Sequence, residues 1–462
     1  MDHPLVKPLV GSRSTFRHPL PCRGFADRRR MRALIEAHWR LNRSAVNPDT
    51  DVLALTLADD MGGALVEAEA GSECLTWRIP SRWHVRKGQL RRLDGTVLAD
   101  FAANPLHLWT HSIGFCGRIS REELFESHLV SDPNRPDEFV YHYRNGYRHG
   151  AREWGFSLPY RIVETMTDPQ YEVEIDADLD DAGSLKVVDV FLPGELPDTV
   201  FVMAHTCHPA LVSDGLACIA AARELYYHLK AQERRRYSWR FLFGPEYFAA
   251  ATYLARAGAD QVAHLRFGIY LDMLSNHEPL GMQVSMQGNS RMDHAARNVL
   301  TSHTSIFLDR PYRQLWGNDE TFYNGPGFLI PTIGIGRGMS REYHYDTDDF
   351  DHYSDYQTDQ AVWVLARIAE TLESDYVPRA CFRGPLYLSR YGLYVDPTQD
   401  AKGAANIERM LALLDGRRSC LDIATALEVD FFFVRDFCDR LVKLGLAERH
   451  DRAPRPEDQG TL

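Results

Sequence analysis

The sequence has no Cys-x-x-Cys pair and no apolar run long enough to cross a bilayer. Its eight cysteines are scattered, which excludes a disulfide-framed scaffold and fits reduced thiols in the cytoplasm, the expected location. Positive charge is short as well. A net charge of −12 excludes a nucleic-acid surface spread over the whole molecule, because phosphate binding needs clustered Lys and Arg. The opening run MDHPLVKPLVGSRSTF lacks the apolar stretch of a secretory leader. Internal repeats and low-complexity tracts are missing too. What the chain does have is 462 residues, 44% of them apolar and 11% aromatic, enough for two or three well-filled cores.

The texture changes along the chain. Residues 28–42 are basic, with Met31, Leu34, Ile35 and Trp39 at helical spacing, so their arginines read as a solvated face. From 51 to 184, short β-like runs (53–57, 74–79, 97–101) alternate with turn signals such as Asp94-Gly95. Tryptophan and tyrosine recur there, and the segment reads as a β-rich lobe. From 185 onward apolar runs at 187–192, 199–204, 239–243, 267–273 and 330–335 alternate with helical segments at 216–229 and 247–256. That alternation predicts an α/β fold with a mainly parallel sheet and helices on both faces. Beyond a Pro/Gly-containing stretch at 378–403, helices are expected at 407–414, 420–427 and 431–444, then a strand opening at Leu446. The predicted division is 1–50 with 185–377 as the catalytic domain, 51–184 as the lobe, and 378–462 as linker and a winged-helix-like domain.

In a parallel sheet the functional crevice lies past the carboxyl ends of the strands. Four predicted strand ends deliver metal-capable or acid/base groups. The first carries His205, Cys207, His208 and then Asp214; the second ends in Gly244-Pro245-Glu246; the third ends in Asp272; the last leads into a loop with Tyr343, His344 and Asp348. Taken singly, Asp214 could cap the next helix and Glu246 could sit at a helix N-terminus. Their coincidence at four strand ends points instead to zinc, which takes imidazole and carboxylate ligands and leaves one position open, with a carboxylate beside it as general base.

The order of these motifs resembles the zinc aminopeptidase-like family related to the M28 metallopeptidases. The branch is the DUF4910/DUF2172 type, with an inserted protease-associated-like β domain and a C-terminal winged helix. The likeness is carried by Leu75-Thr76-Trp77-Arg78-Ile79-Pro80, Asn104-Pro105-Leu106-His107, Trp154-Gly155-Phe156, His205 to Pro209 with Asp214, Gly244-Pro245-Glu246, Gly317-Asn318-Asp319-Glu320 and Glu342-Tyr343-His344. It implies a site holding one or two zinc ions. Asp214 would bridge them in di-zinc relatives, Asp272 would be the third-strand ligand, and His344 the last, with Asp348 behind it to orient the ring. Two imidazoles, His205 and His208, compete for the first ligand position; His208 is favoured and both are kept. M28 enzymes usually present two adjacent glutamates, whereas here Glu246 is followed by Tyr247, and Cys207 replaces the usual aspartate.

The resulting expectation is a zinc-dependent aminopeptidase or related amidohydrolase that uses metal-activated water with Glu246 as general base. Tyr343 would be an oxyanion donor, and Asp319 and Glu320 would bind a substrate amine. The substrate would be a peptide or an amide-containing small molecule. The alternatives are a single-zinc acyl transferase of the glutaminyl-cyclase kind and a catalytically lapsed binding protein. The segment in the recognition-helix position begins Phe431-Phe432-Phe433 and mixes Arg435 and Arg440 with Asp436 and Asp439. That composition suits a packing or homo-oligomer surface rather than base readout, so neither nucleic acid nor membrane is an expected partner.

Overall fold

The structure, a computed structural model, describes residues 24–451 apart from 149. The N-terminal run read above for a leader lies outside these residues. An eight-stranded mixed sheet forms the centre. Its order is Ala64–Glu69, Ser184–Leu192, Ser238–Gly244, Thr199–His205, Leu265–Asp272, Thr332–Arg337, Leu280–Gln283 and Leu308–Arg310. The middle four strands run parallel, so their carboxyl ends share one edge. Antiparallel pairings flank them on both sides. Thr199–His205 and Ser238–Gly244 are buried at every position, as strands covered on both faces must be.

Alternate side chains of these strands feed two cores. Val200, Val202 and Ala204 point to one face, where helices Arg28–His38, Pro48–Met61, Leu216–Lys230, Arg291–His303 and Asp355–Ser374 pack. Phe201 and Met203 point to the other, under helix Phe248–Arg256. The run 53–57, expected as β-like, lies in a helix. Asn47 caps it by accepting from the Asp49 N–H, Pro48 opens it, and Gly62 closes it in the left-handed region at φ 69°. Leu53, Ala54 and Leu57 then fall on one buried face. Residues 48–69 thus lie with the main sheet rather than with the lobe.

The lobe is built on a four-stranded antiparallel sheet in the order Val97–Asp100, Arg82–Arg91, Gln170–Asp180 and Phe115–Ser120. It has its own core around Trp83, Trp154, Phe156 and Tyr171. At the C-terminus, helices Ala401–Leu411, Cys420–Leu427 and Phe431–Lys443 precede strand Ala447–His450, which pairs with Val377–Ala380. This unit shares one apolar core with the main body. Helix Phe431–Lys443 is turned inward: the Phe431 N–H donates to Asn298 Oδ1 at 2.9 Å, Arg435 reaches Glu370 at 3.0 Å, and the Arg367 guanidinium lies over the Phe432 ring. Among the described residues no helix is long and apolar enough to cross a membrane, and every described cysteine is a free thiol.

Candidate active site

The shared edge of the four parallel strands gathers the acidic and imidazole groups. His205 is the last residue of its strand and Asp272 the last of another. Asp214 stands just before Gly215 and helix Leu216–Lys230, and Glu246 just before helix Phe248–Arg256. His344 lies in the loop after Thr332–Arg337. Asp214 is the hub: its Oδ1 is 3.0 Å from His205 Nε2 and its Oδ2 is 3.1 Å from His344 Nε2. Asp272 Oδ1 is 3.9 Å from the same His205 nitrogen. The His205 and His208 Nδ1 atoms approach to 3.2 Å, and His208 Nε2 is 3.9 Å from Glu246 Oε2.

These contacts test whether the residues suit a metal. His205, His208, Asp214 and Asp272 are all at most 5% exposed. His205 Nε2, Asp214 Oδ2 and Asp272 Oδ1 nonetheless lack a hydrogen-bond partner of good geometry, a costly state for buried polar atoms. Three overlapping triads, His205–Cys207–His208, His205–Asp214–Asp272 and His208–Asp214–His344, each hold their donor atoms within 4.8 Å of one another. Ligands about 2.0–2.2 Å from a tetrahedral ion stand roughly 3.3–3.6 Å apart, within the range seen here. The donor set fits zinc, and both candidate first histidines are at the site. The charges respond accordingly. Burial alone would depress the His205 imidazole, but Asp214 and Asp272 hold it well above its usual range. Burial pushes Asp272 up to about 6.

The backbone pays for this convergence. His208, Ala210, Tyr247, Met273 and His344 all adopt positive φ, between 47° and 76°. Each such non-glycine residue costs on the order of 1–3 kcal/mol and survives only where its surroundings over-determine it. Part of that support was not foreseen. Arg43, fully buried, donates to the carbonyl oxygens of Thr206 (3.1 Å), Cys207 (3.4 Å), His208 (2.7 Å) and Leu211 (2.7 Å), so one guanidinium fork ties the loop between His205 and Asp214. Asp348 was expected behind the His344 ring. Its two oxygens instead accept from the Ser213 and Asp214 N–H groups at 2.8 and 3.0 Å, fixing the segment that carries the hub carboxylate.

Glu246 is held on both oxygens. The Tyr147 hydroxyl donates to Oε2 at 2.6 Å and Asn318 Nδ2 to Oε1 at 2.5 Å. Tyr147 comes from the lobe side, where a bridge between Val140 and Tyr345 and the Tyr141 N–H to His344 carbonyl bond (2.8 Å) fasten that segment to the His344 loop. Tyr343 stacks on the His344 ring with centroids 3.9 Å apart, and burial raises its phenol far above the usual value. Asp319 and Glu320 are buried, and their carboxylates face the protein's own donors. Asp319 accepts from the Tyr247 and Ala250 N–H groups at the start of helix Phe248–Arg256. Glu320 accepts from the Asn318 N–H and from Gln283 Nε2. Burial pushes both up to about 7.

Residues 32–375 match the model of a family described as a domain of unknown function, DUF4910. The chain is 27% identical over 280 residues to a Clostridium acetobutylicum protein provisionally named a polysaccharide biosynthesis protein with aminopeptidase-like domain. That match covers 61% of this chain and 62% of the relative, so the chain spans less than two thirds of that relative's length. Among solved structures, a provisionally described peptidase from the same organism superposes with a TM-score of 0.80 at 22% identity, covering 92% of this chain and 96% of the other. A zinc aminopeptidase from Bacillus subtilis superposes with a TM-score of 0.54 at 13% identity, covering 77% and 96%. At these identities the likeness is one of fold.

Proposed function

The chain belongs to the DUF4910 family, and from that membership and its converging donors we propose that it is a zinc-dependent hydrolase that cleaves an amide bond. The observation that carries the reading is the Asp214 hub, whose carboxylate lies within 4.8 Å of the ligand-capable atoms of His205 and Asp272 on one side and of His208 and His344 on the other. His205, His208, Asp214, Asp272 and His344 would hold the zinc.

Zinc bound there supplies Lewis acidity and lowers the pKa of a water toward neutrality. Glu246 takes the proton from the attacking water and passes it to the leaving amine. Its two donors, Tyr147 and Asn318, aim the carboxylate. Tyr343 keeps its proton because burial raises its phenol and serves as a donor to the developing oxyanion. Asp319 and Glu320, proposed from sequence as amine binders, are better suited to holding the start of helix Phe248–Arg256 and the Asn318 turn, and through them the base. The inward-turned helix Phe431–Lys443 supports a packing role for the C-terminal unit rather than DNA reading.

Metal content by mass spectrometry tests the proposal on wild type and Asp214→Asn, both checked for fold by circular dichroism. One or two zincs per wild-type chain, lost from a folded variant, are expected. A folded wild type that takes up no zinc when it is supplied would overturn the hydrolase and leave a binding protein.

A further inference from the structure

The thiol of Cys207 lies among the candidate metal donors, yet the hydrolytic reading gives it no part. Its Sγ is 3.4 Å from His208 Nδ1 and 3.6 Å from His205 Nδ1, and those two nitrogens are 3.2 Å apart. All three residues are at most 7% exposed. A tetrahedral zinc with nitrogen at about 2.0–2.1 Å and sulfur at about 2.3 Å sets two nitrogens roughly 3.3–3.4 Å apart and nitrogen roughly 3.5–3.6 Å from sulfur. The Cys207–His205–His208 triangle has edges close to those of such a ligand face.

Hydrogen bonding alone does not account for this triangle. One thiol proton serves only one of the two imidazoles, and ring nitrogens 3.2 Å apart need a proton of their own between them. A single cation meets all three lone pairs at once. The three side chains come from one short loop that is held from behind. Arg43 binds the Thr206, Cys207 and His208 carbonyl oxygens. His208 is kept at φ 76°, a conformation that a non-glycine residue retains only where its surroundings over-determine it. The Glu246 N–H donates to Sγ at 3.3 Å, the kind of outer contact that orients a metal ligand.

His205 stands between two donor sets. Its Nδ1 faces the sulfur and His208, and its Nε2 faces Asp214 and Asp272 at 3.0 and 3.9 Å. We propose that Cys207 is a metal ligand, forming with His205 and His208 a soft donor set beside the carboxylates. On binding, a metal–sulfur bond forms and the thiol proton leaves to solvent. The inference rests on the reading of these strand ends as a zinc centre and deepens it by naming the metals that the site accepts. Thiolate and imidazole favour thiophilic ions such as zinc and cadmium over manganese, which prefers oxygen donors.

The test is X-ray absorption at the zinc edge on the full chain, loaded with zinc and dialysed. The wild type is expected to show sulfur at about 2.3 Å beside nitrogen and oxygen at about 2.0–2.2 Å. Cys207→Ser should lose the sulfur shell. Cys218→Ser, which removes the buried thiol of helix Leu216–Lys230, should keep it. In competition between cadmium and manganese, Cys207→Ser should give up at least about tenfold of the preference for cadmium, the loss typical of removing even a group behind a ligand. If Cys207→Ser fails to fold, the wild-type and Cys218→Ser spectra still decide. Zinc surrounded by nitrogen and oxygen alone, or a sulfur shell unchanged in folded Cys207→Ser, would overturn the proposal; the first result leaves the zinc hydrolase standing. A sulfur shell that Asp214→Asn retains together with its zinc supports Cys207 and removes the hydrolase centred on Asp214. A chain that takes up no zinc removes both.

Discussion

Arg43→Met asks whether one buried cation holds the loop between His205 and Asp214 in shape. Three of the four carbonyl contacts made by the guanidinium are within ordinary hydrogen-bond length, those to His208, Leu211 and Thr206. With an ionised donor each is worth about 1.5–3 kcal/mol, or roughly 4–9 kcal/mol together. Against this, burial lowers the Arg43 pKa from 12.5 to about 10. At 1.36 kcal/mol per pKa unit, keeping the cation there costs about 3 kcal/mol. Methionine fills much of the same volume and carries no charge, so the variant recovers that cost but leaves the carbonyls facing an apolar side chain. The balance is a loss of about 3 kcal/mol, a fall in melting temperature of roughly 5 °C for a large domain. Zinc affinity should fall about tenfold to a hundredfold, as when a group that orients ligands is removed. Arg43→Lys restores the charge without the fork and should resemble the methionine variant more than the wild type. Thermal unfolding with chelator present measures the first quantity, and competition with a chelating dye measures the second. A methionine variant that melts with the wild type and binds zinc as tightly would refute the reasoning.

Tyr147→Phe removes one of the two donors to Glu246 and should lower kcat on an amide substrate about tenfold with little change in KM; initial rates within about twofold of wild type would mean the hydroxyl does not position the base. His111 gives a pH test. Burial depresses its pKa from 6.5 to about 4, so the unfolded chain binds more protons between those values. The stability it contributes is complete above about pH 6.5 and lost as pH falls to 4, which amounts to about 2 kcal/mol at pH 5. His111→Phe should therefore lose less stability than wild type between pH 7 and 5 in urea titrations, and an equal loss would show that the ring does not carry the effect.

The strand-end rule was the most productive reading of the sequence. Apolar runs close to the central strands of the sheet could be seen, and the residues just beyond them are brought within a few ångströms. Periodicity failed at 53–57, where Leu-Ala-Leu-Thr-Leu satisfies an alternating pattern as well as a helical one; the deciding signals were the Asn47-Pro48 start and the Gly62 stop. The supporting residues were hidden for another reason. Arg43 lies one residue past the basic segment read at 28–42 and was not singled out, and Tyr147 looked like one aromatic among many in the lobe. Both act across distances of more than 90 residues, which no local pattern encodes. Asp348 was found, but its target was not: a carboxylate four residues after His344 suggests the ring, whereas the chain path brings it to the Ser213 and Asp214 backbone.

The left-handed residues that crowd the strand ends set the interests of the fold against those of the site. Glycine at 208, 210, 247, 273 or 344 would release strain, and at 208 or 344 it would delete an imidazole of the proposed metal site. A lineage selected only for heat resistance would drift toward those replacements and gain stability by discarding the donors. Persistence of histidine at 208 and 344 in a family under such selection would therefore record a continuing demand for chemistry at this edge, legible without knowing the substrate.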